Sequence, residues 1–93
     1  MKNKKNKHFV SYYWRNDQED EVHCRVPTKE DAWAFVLGKI RKTIRCFDSE
    51  EGNKPTIIDY DKVKNELFSN GYVEVVYCQC NSWWHNFYYQ MVD

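Results

Sequence analysis

The sequence predicts an α+β domain of order ββααββ, a four-stranded antiparallel sheet with one long and one short helix packed on one face. Three observations lead there. Two stretches near the N-terminus alternate apolar and polar residues, and two more near the C-terminus do the same. Between them run two segments whose apolar residues recur at helical spacing.

The first element is "HFVSYYWR", with Val10, Tyr12 and Trp14 on one face and Phe9, Ser11, Tyr13 and Arg15 on the other. "EVHCRV" sets Val22, Cys24 and Val26 against Glu21, His23 and Arg25, and the polar "NDQED" between the two reads as a turn. Placing Arg15 opposite Glu21 brings Trp14 to Val22, Tyr12 to Cys24 and Val10 to Val26. One register then satisfies both the charge pair and the apolar face.

"PTKEDAWAFVLGKIRKTIRCF" carries the long helix. Thr28 supplies an N-cap with Asp31 three residues on, and acids crowd the first turn. Trp33, Val36, Leu37, Ile40 and Ile44 form its apolar stripe. Lys39, Arg41, Lys42 and Arg45 gather toward the C-terminal end, where the helix dipole favours cations. Gly38 suggests a close approach of this helix to the sheet. After a loop at "DSEEGNKP", the short helix "DYDKVKNELFS" is capped by Asp59 or Asp61 and turns Tyr60, Val63, Leu67 and Phe68 inward. Asn70-Gly71 ends it in a left-handed cap.

"YVEVVYCQ" and "HNFYYQMV" are the last two strands. Pairing Tyr77 with Phe87, Val75 with Tyr89 and Val73 with Met91 closes a second hairpin. That register puts Trp83 and Trp84 at the loop tip, where two adjacent tryptophans cannot both turn inward.

Composition narrows the function. Ninety-three residues make one domain, read as a flexible basic tail over residues 1–7 and a folded unit over residues 8–93. Fourteen basic and 14 acidic residues cancel, so no whole-molecule field attracts nucleic acid or imitates it. "MKNKKNKHFV" has no apolar run behind its lysines, and no stretch approaches ~18 consecutive apolar residues. A cytoplasmic location without membrane contact is expected, with the four cysteines reduced.

Cys78 and Cys80 form a C-x-C pair with His85 five residues beyond, and His23-Cys24 lies on the other hairpin. Zinc sites usually place two residues between paired cysteines, and alternation puts His85 and Cys78 on opposite faces, so no metal or other cofactor is expected. There is no Gly-rich phosphate loop, nucleophile elbow or H-E-x-x-H, so no catalytic residues and no enzyme are expected either.

What remains is the sheet face away from the helices. It carries Phe9, Tyr13, Arg15, His23, Arg25, Tyr72, Val76 and Tyr88, with Cys78 beside them and Trp83 and Trp84 at the tip. Aromatic, Arg and His residues with few carboxylates are the composition of a protein interface. The same pattern also arises where cross-strand aromatics merely stabilise a sheet. The expectation is a non-catalytic interaction protein that occludes or bridges a larger partner, or self-associates. Small accessory proteins of phages or mobile elements, including inhibitors of bacterial defence, share this size, charge balance and lack of chemistry, although no residue carries that likeness. The alternative is a single-stranded nucleic-acid binder stacking bases on the aromatic face, with Lys39, Arg41, Lys42 and Arg45 meeting phosphate. The chain has neither the RNP pattern nor the βαββαβ order of the common RNA-reading sheets.

Overall fold

The computed structural model describes residues 7–14, 17–48, 57–77 and 83–92. Along the chain run β1 (His8–Trp14), β2 (Asp17–Val26), α1 (Lys29–Asp48), α2 (Tyr60–Asn70), β3 (Tyr72–Tyr77) and β4 (Trp83–Met91). The order is ββααββ, as the periodicities require. The four strands form one antiparallel sheet in the order β2-β1-β4-β3, so the first and last strands pair at its centre. Val92 extends that central ladder by donating its N–H to the carbonyl of Lys7 at 2.7 Å.

Alternation assigns the faces of every strand as expected, but both hairpin registers differ. In the first, Val10 faces Cys24 and Tyr12 faces Val22, two residues from the expected pairing. The difference arises because β2 reaches back to Asp17, through most of the segment read as a turn. An irregularity between Tyr12 and Trp14 carries the pairing on to Trp14 with Asp17. In the second hairpin Val73 faces Phe87, Val75 faces His85 and Tyr77 faces Trp83, a displacement of four. Trp83 and Trp84 therefore open β4 instead of capping a loop, in line with the strand preference of large aromatic residues. Both displacements are even, so every side chain keeps its face.

Thr28 caps α1 by accepting the Asp31 N–H at 3.0 Å. The buried line of this helix is Ala32, Val36, Ile40 and Thr43, with Trp33 and Ile44 half-buried on one flank and Phe35 on the other. The stripe is thus turned from the expected one. Small Ala32 lets the helix lie close, and Thr43 can be buried because its hydroxyl donates to the Lys39 carbonyl at 2.9 Å. Trp33 reaches Phe68 of α2, ring centres 6.5 Å apart. Asp59 caps α2 by accepting the Lys62 N–H, and Val63 and Leu67 point into the core. These helix residues meet Val10, Tyr12, Val73, Val75, Tyr77 and Phe87 from the sheet.

Two glycines have opposite meanings. Gly38 is exposed and nothing lies within 4 Å of a Cβ placed there, so the expected close approach to the sheet is not its role. Gly71 ends α2 at φ 78°, and a Cβ there would sit 3.2 Å from the Tyr89 carbonyl oxygen. Its own carbonyl accepts the Tyr89 N–H at 3.0 Å, which ties the cap to β4. Gly38→Ala should raise stability by about 0.5–1 kcal/mol through helix propensity. Gly71→Ala should lower it by about 1–2 kcal/mol through the left-handed backbone. Denaturant titration of the two variants against the parent checks both signs.

Candidate functional site

Both helices cover the face bearing Val10, Tyr12, Val73, Val75, Tyr77 and Phe87, and among the described residues no helix lies on the opposite face of the sheet. Across that face the ladder aligns His23, Ser11, Tyr88 and Tyr72 in one row, one residue from each strand. The next row sets Arg25 beside Phe9 and Gln90, and the row on the other side sets Tyr13 beside Asn86 and Glu74. Eight of the predicted interface residues, Phe9, Tyr13, His23, Arg25, Tyr72, Val76, Trp84 and Tyr88, share this surface.

Two clusters organise it. Tyr88 lies at the centre of the first, its ring 5.0 Å from Tyr72 and 5.6 Å edge-on from Tyr13. The Tyr72 hydroxyl donates to Asn86 Oδ1 at 3.3 Å. Small Ser11 and polar Asn86 lie beneath these rings, 6% and 9% exposed, so the tyrosines shield the middle of the sheet on this side. Tyr72 and Tyr88 themselves stay 41% and 38% exposed. Burial, followed by the charge of Glu74, pushes the Tyr72 phenol above its ordinary value, so it is a neutral hydrogen-bond donor at physiological pH. In the second cluster the Arg25 guanidinium sits 5.1 Å over the Phe9 ring, and Phe9 meets His23 at 5.6 Å. Sequence reasoning passed over Ser11 and Asn86, although a small and a polar residue at mid-strand positions signal that larger neighbours close over them.

The two tryptophans and the remaining expected residues divide. Trp84 opens β4 opposite Val76, half-buried at one end of the open face, and Trp83 pairs with Tyr77 through the backbone. Neither tops a loop, which corrects the hairpin-tip expectation. Arg15, Cys78 and Cys80 lie outside the described residues. Lys39, Arg41, Lys42 and Arg45 all belong to α1, across the sheet from the tyrosine cluster, and the Lys39 ammonium lies 5.3 Å over the Tyr12 ring.

His85 is buried on the helix side, where its Nδ1 and the Tyr77 hydroxyl share a hydrogen bond of 2.7 Å. Burial, helped by the Lys39 charge, holds its pKa down at about 3, so the imidazole is neutral. Cys24 is half-buried, and burial raises its thiol above the ordinary value, which disfavours the nucleophilic thiolate. Among the described residues no three His, Cys, Asp or Glu side chains converge as metal ligands, and no helix is long and apolar enough to cross a membrane.

Fold and surface together define a class: a small α+β domain with a two-helix layer on one side of its sheet and an aromatic, helix-free face on the other. Comparison with protein-family models, curated proteins and solved structures finds no match.

Proposed function

We propose that this chain is a non-catalytic protein-interaction module that binds a larger protein through the open face of its sheet. The contiguity of Tyr13, Tyr88 and Tyr72 with the Phe9–His23–Arg25 cluster on a face that no helix covers carries this reading. Exposed Tyr and Arg are the side chains most often found as interface anchors, because they bury large area with few torsions and keep a polar end for hydrogen bonding. Tyr72, held neutral and already paired to Asn86, is such an anchor with its orientation fixed in advance. The finer form of the reading is an accessory protein of a phage or mobile element that modulates a host complex in the cytoplasm. It rests on the small size and balanced charge alone.

Nucleic-acid binding is the second reading. A strand stacked on Tyr13, Tyr72 and Tyr88 would have the thickness of the sheet between it and the cations of α1. Among the described residues, Arg25 and His23 lie on its own side.

The expected result for Tyr13→Ala with Tyr88→Ala is a nearly native circular dichroism spectrum and lost partner binding. Tyr88 is exposed and Tyr13 half-buried on a sheet face where such changes cost about 1 kcal/mol each, whereas interface anchors contribute 2 kcal/mol or more to affinity. Binding that weakens steeply with added salt favours nucleic acid, since phosphate contacts release counterions. A folded double variant that binds as the parent does removes the open face from the account.

A further inference from the structure

On the helix side a pocket of about 460 Å³ opens between the C-terminal half of α1 and the first hairpin. Its volume is within the range of small-molecule sites. One wall is a single stripe of α1, with Lys39, Lys42, Thr43 and Cys46 at helical spacing. The floor is aromatic: Tyr12 and Trp14 from β1 and His85 from β4, with Val22 at the side. None of this belongs to the surface described above, which lies across the sheet.

We propose that this pocket binds a small planar anion, an aromatic or heteroaromatic ring bearing a carboxylate or a phosphate. Lys39 and Lys42 both line the pocket, so an anion bound there gains attraction from two lysines. The imidazole in the floor is neutral and adds no charge of its own.

The shape argument concerns the floor, whose rings are held before any ligand arrives. Trp14 lies 4.6 Å from His85 and 6.2 Å from Tyr77, near parallel to the latter, while Tyr12 meets His85 edge-on at 5.1 Å. The Tyr77–His85 hydrogen bond anchors the group from beneath. A flat ligand ring meeting Trp14, the half-buried ring of this group, therefore causes little loss of side-chain freedom in the protein. The Lys39 ammonium, 5.3 Å over the Tyr12 ring, places a cation at this floor.

Chemical-shift titration with indole-3-acetate, adenosine 5′-monophosphate and tryptamine, the cationic relative of the first, tests the proposal and separates carboxylate from phosphate. At least one anion should bind, shifting the amides of Tyr12, Lys42 and Thr43, and tryptamine should bind at least tenfold more weakly. Lys39→Gln with Lys42→Gln, its fold checked by circular dichroism, should weaken the anion at least tenfold, and Lys42→Gln alone, at an exposed position, should weaken it measurably. Tyr13→Ala with Tyr88→Ala should leave it unchanged, so this site and the open face succeed or fail independently. The proposal is overturned by no shifts with either anion at millimolar concentration, by shifts confined to Tyr72 and Tyr88, by tryptamine binding as well as the anions, or by equal affinity in the lysine variant.

Discussion

Phe87→Ala is expected to destabilise the domain by about 3–5 kcal/mol, the usual cost of truncating a buried aromatic side chain. Phe87 is fully buried on β4, a central strand, opposite Tyr12 on one side and Val73 on the other. Its ring contacts Tyr12 at 5.4 Å and His85 at 5.4 Å, so truncation leaves a cavity under both neighbours. A domain is held by only about 5–15 kcal/mol, so this variant should lose a large share of its stability. Trp33→Ala is the informative contrast. The larger side chain sits on the flank of the α1 stripe and is only partly buried, so roughly half that loss is expected from it. Urea midpoints for the two variants decide the order. A larger loss at Trp33 would mean that α1 turns a different face to the sheet.

The second large effect is acid sensitivity. His85 is 2% exposed, and its pKa falls to about 3 in the fold against ~6.5 for an unfolded histidine. Between these values the unfolded chain takes up a proton that the native imidazole refuses. Stability is therefore fully present above about pH 6.5 and declines as pH falls toward about 3. Near pH 4.5, two units below the unfolded value, the loss from this one group is roughly 2–3 kcal/mol. His85→Gln should lower stability at neutral pH, since Tyr77 loses its imidazole partner, and should flatten the decline between pH 6.5 and 4.5. A variant as acid-sensitive as the parent would assign the effect to other groups.

These two residues also show what could be read from the sequence. Phe87 and His85 were placed on the inner face because alternation fixes the parity of a strand whatever its partner. Register was not legible in the same way. Sliding a strand by two or four residues returns every side chain to its face, so Val73 finds an aromatic partner in Phe87 and a methionine in Met91 with equal formal success. What breaks that degeneracy is where the chain can turn. Trp83 and Trp84 follow Cys-Asn-Ser, a run that reads as a loop, although both are strong strand formers. The neighbour relation of β1 and β4 was equally hidden, because alternation says nothing about which strands adjoin. Ser11 and Asn86, small or polar at mid-strand on the open face, were the one trace of it.

The open aromatic face was legible for the same reason as the core: it is the complementary set of positions. Its internal order was not. That Tyr88 touches both Tyr72 and Tyr13 depends on registers in two separate ladders. The pocket beside α1 was invisible to sequence reasoning, since it depends on how α1 is turned. The lysines were read as dipole complementation at the end of the helix. Only the fold brings Lys39 over Tyr12.

The most direct test of an open-face interaction is hydroxyl-radical footprinting of the chain, free in buffer and in extract of its native host. Tyr72 and Tyr88 are labelled in the free chain by virtue of their exposure, as are Ile57 and Met91, 90% and 61% exposed and outside the tyrosine cluster. The account predicts that labelling of Tyr72 and Tyr88 falls sharply in extract while Ile57 and Met91 keep theirs. Unchanged labelling of both tyrosines, with protection appearing instead on Lys39, Lys42 and the rest of α1, would contradict it and move the partner to the helix side.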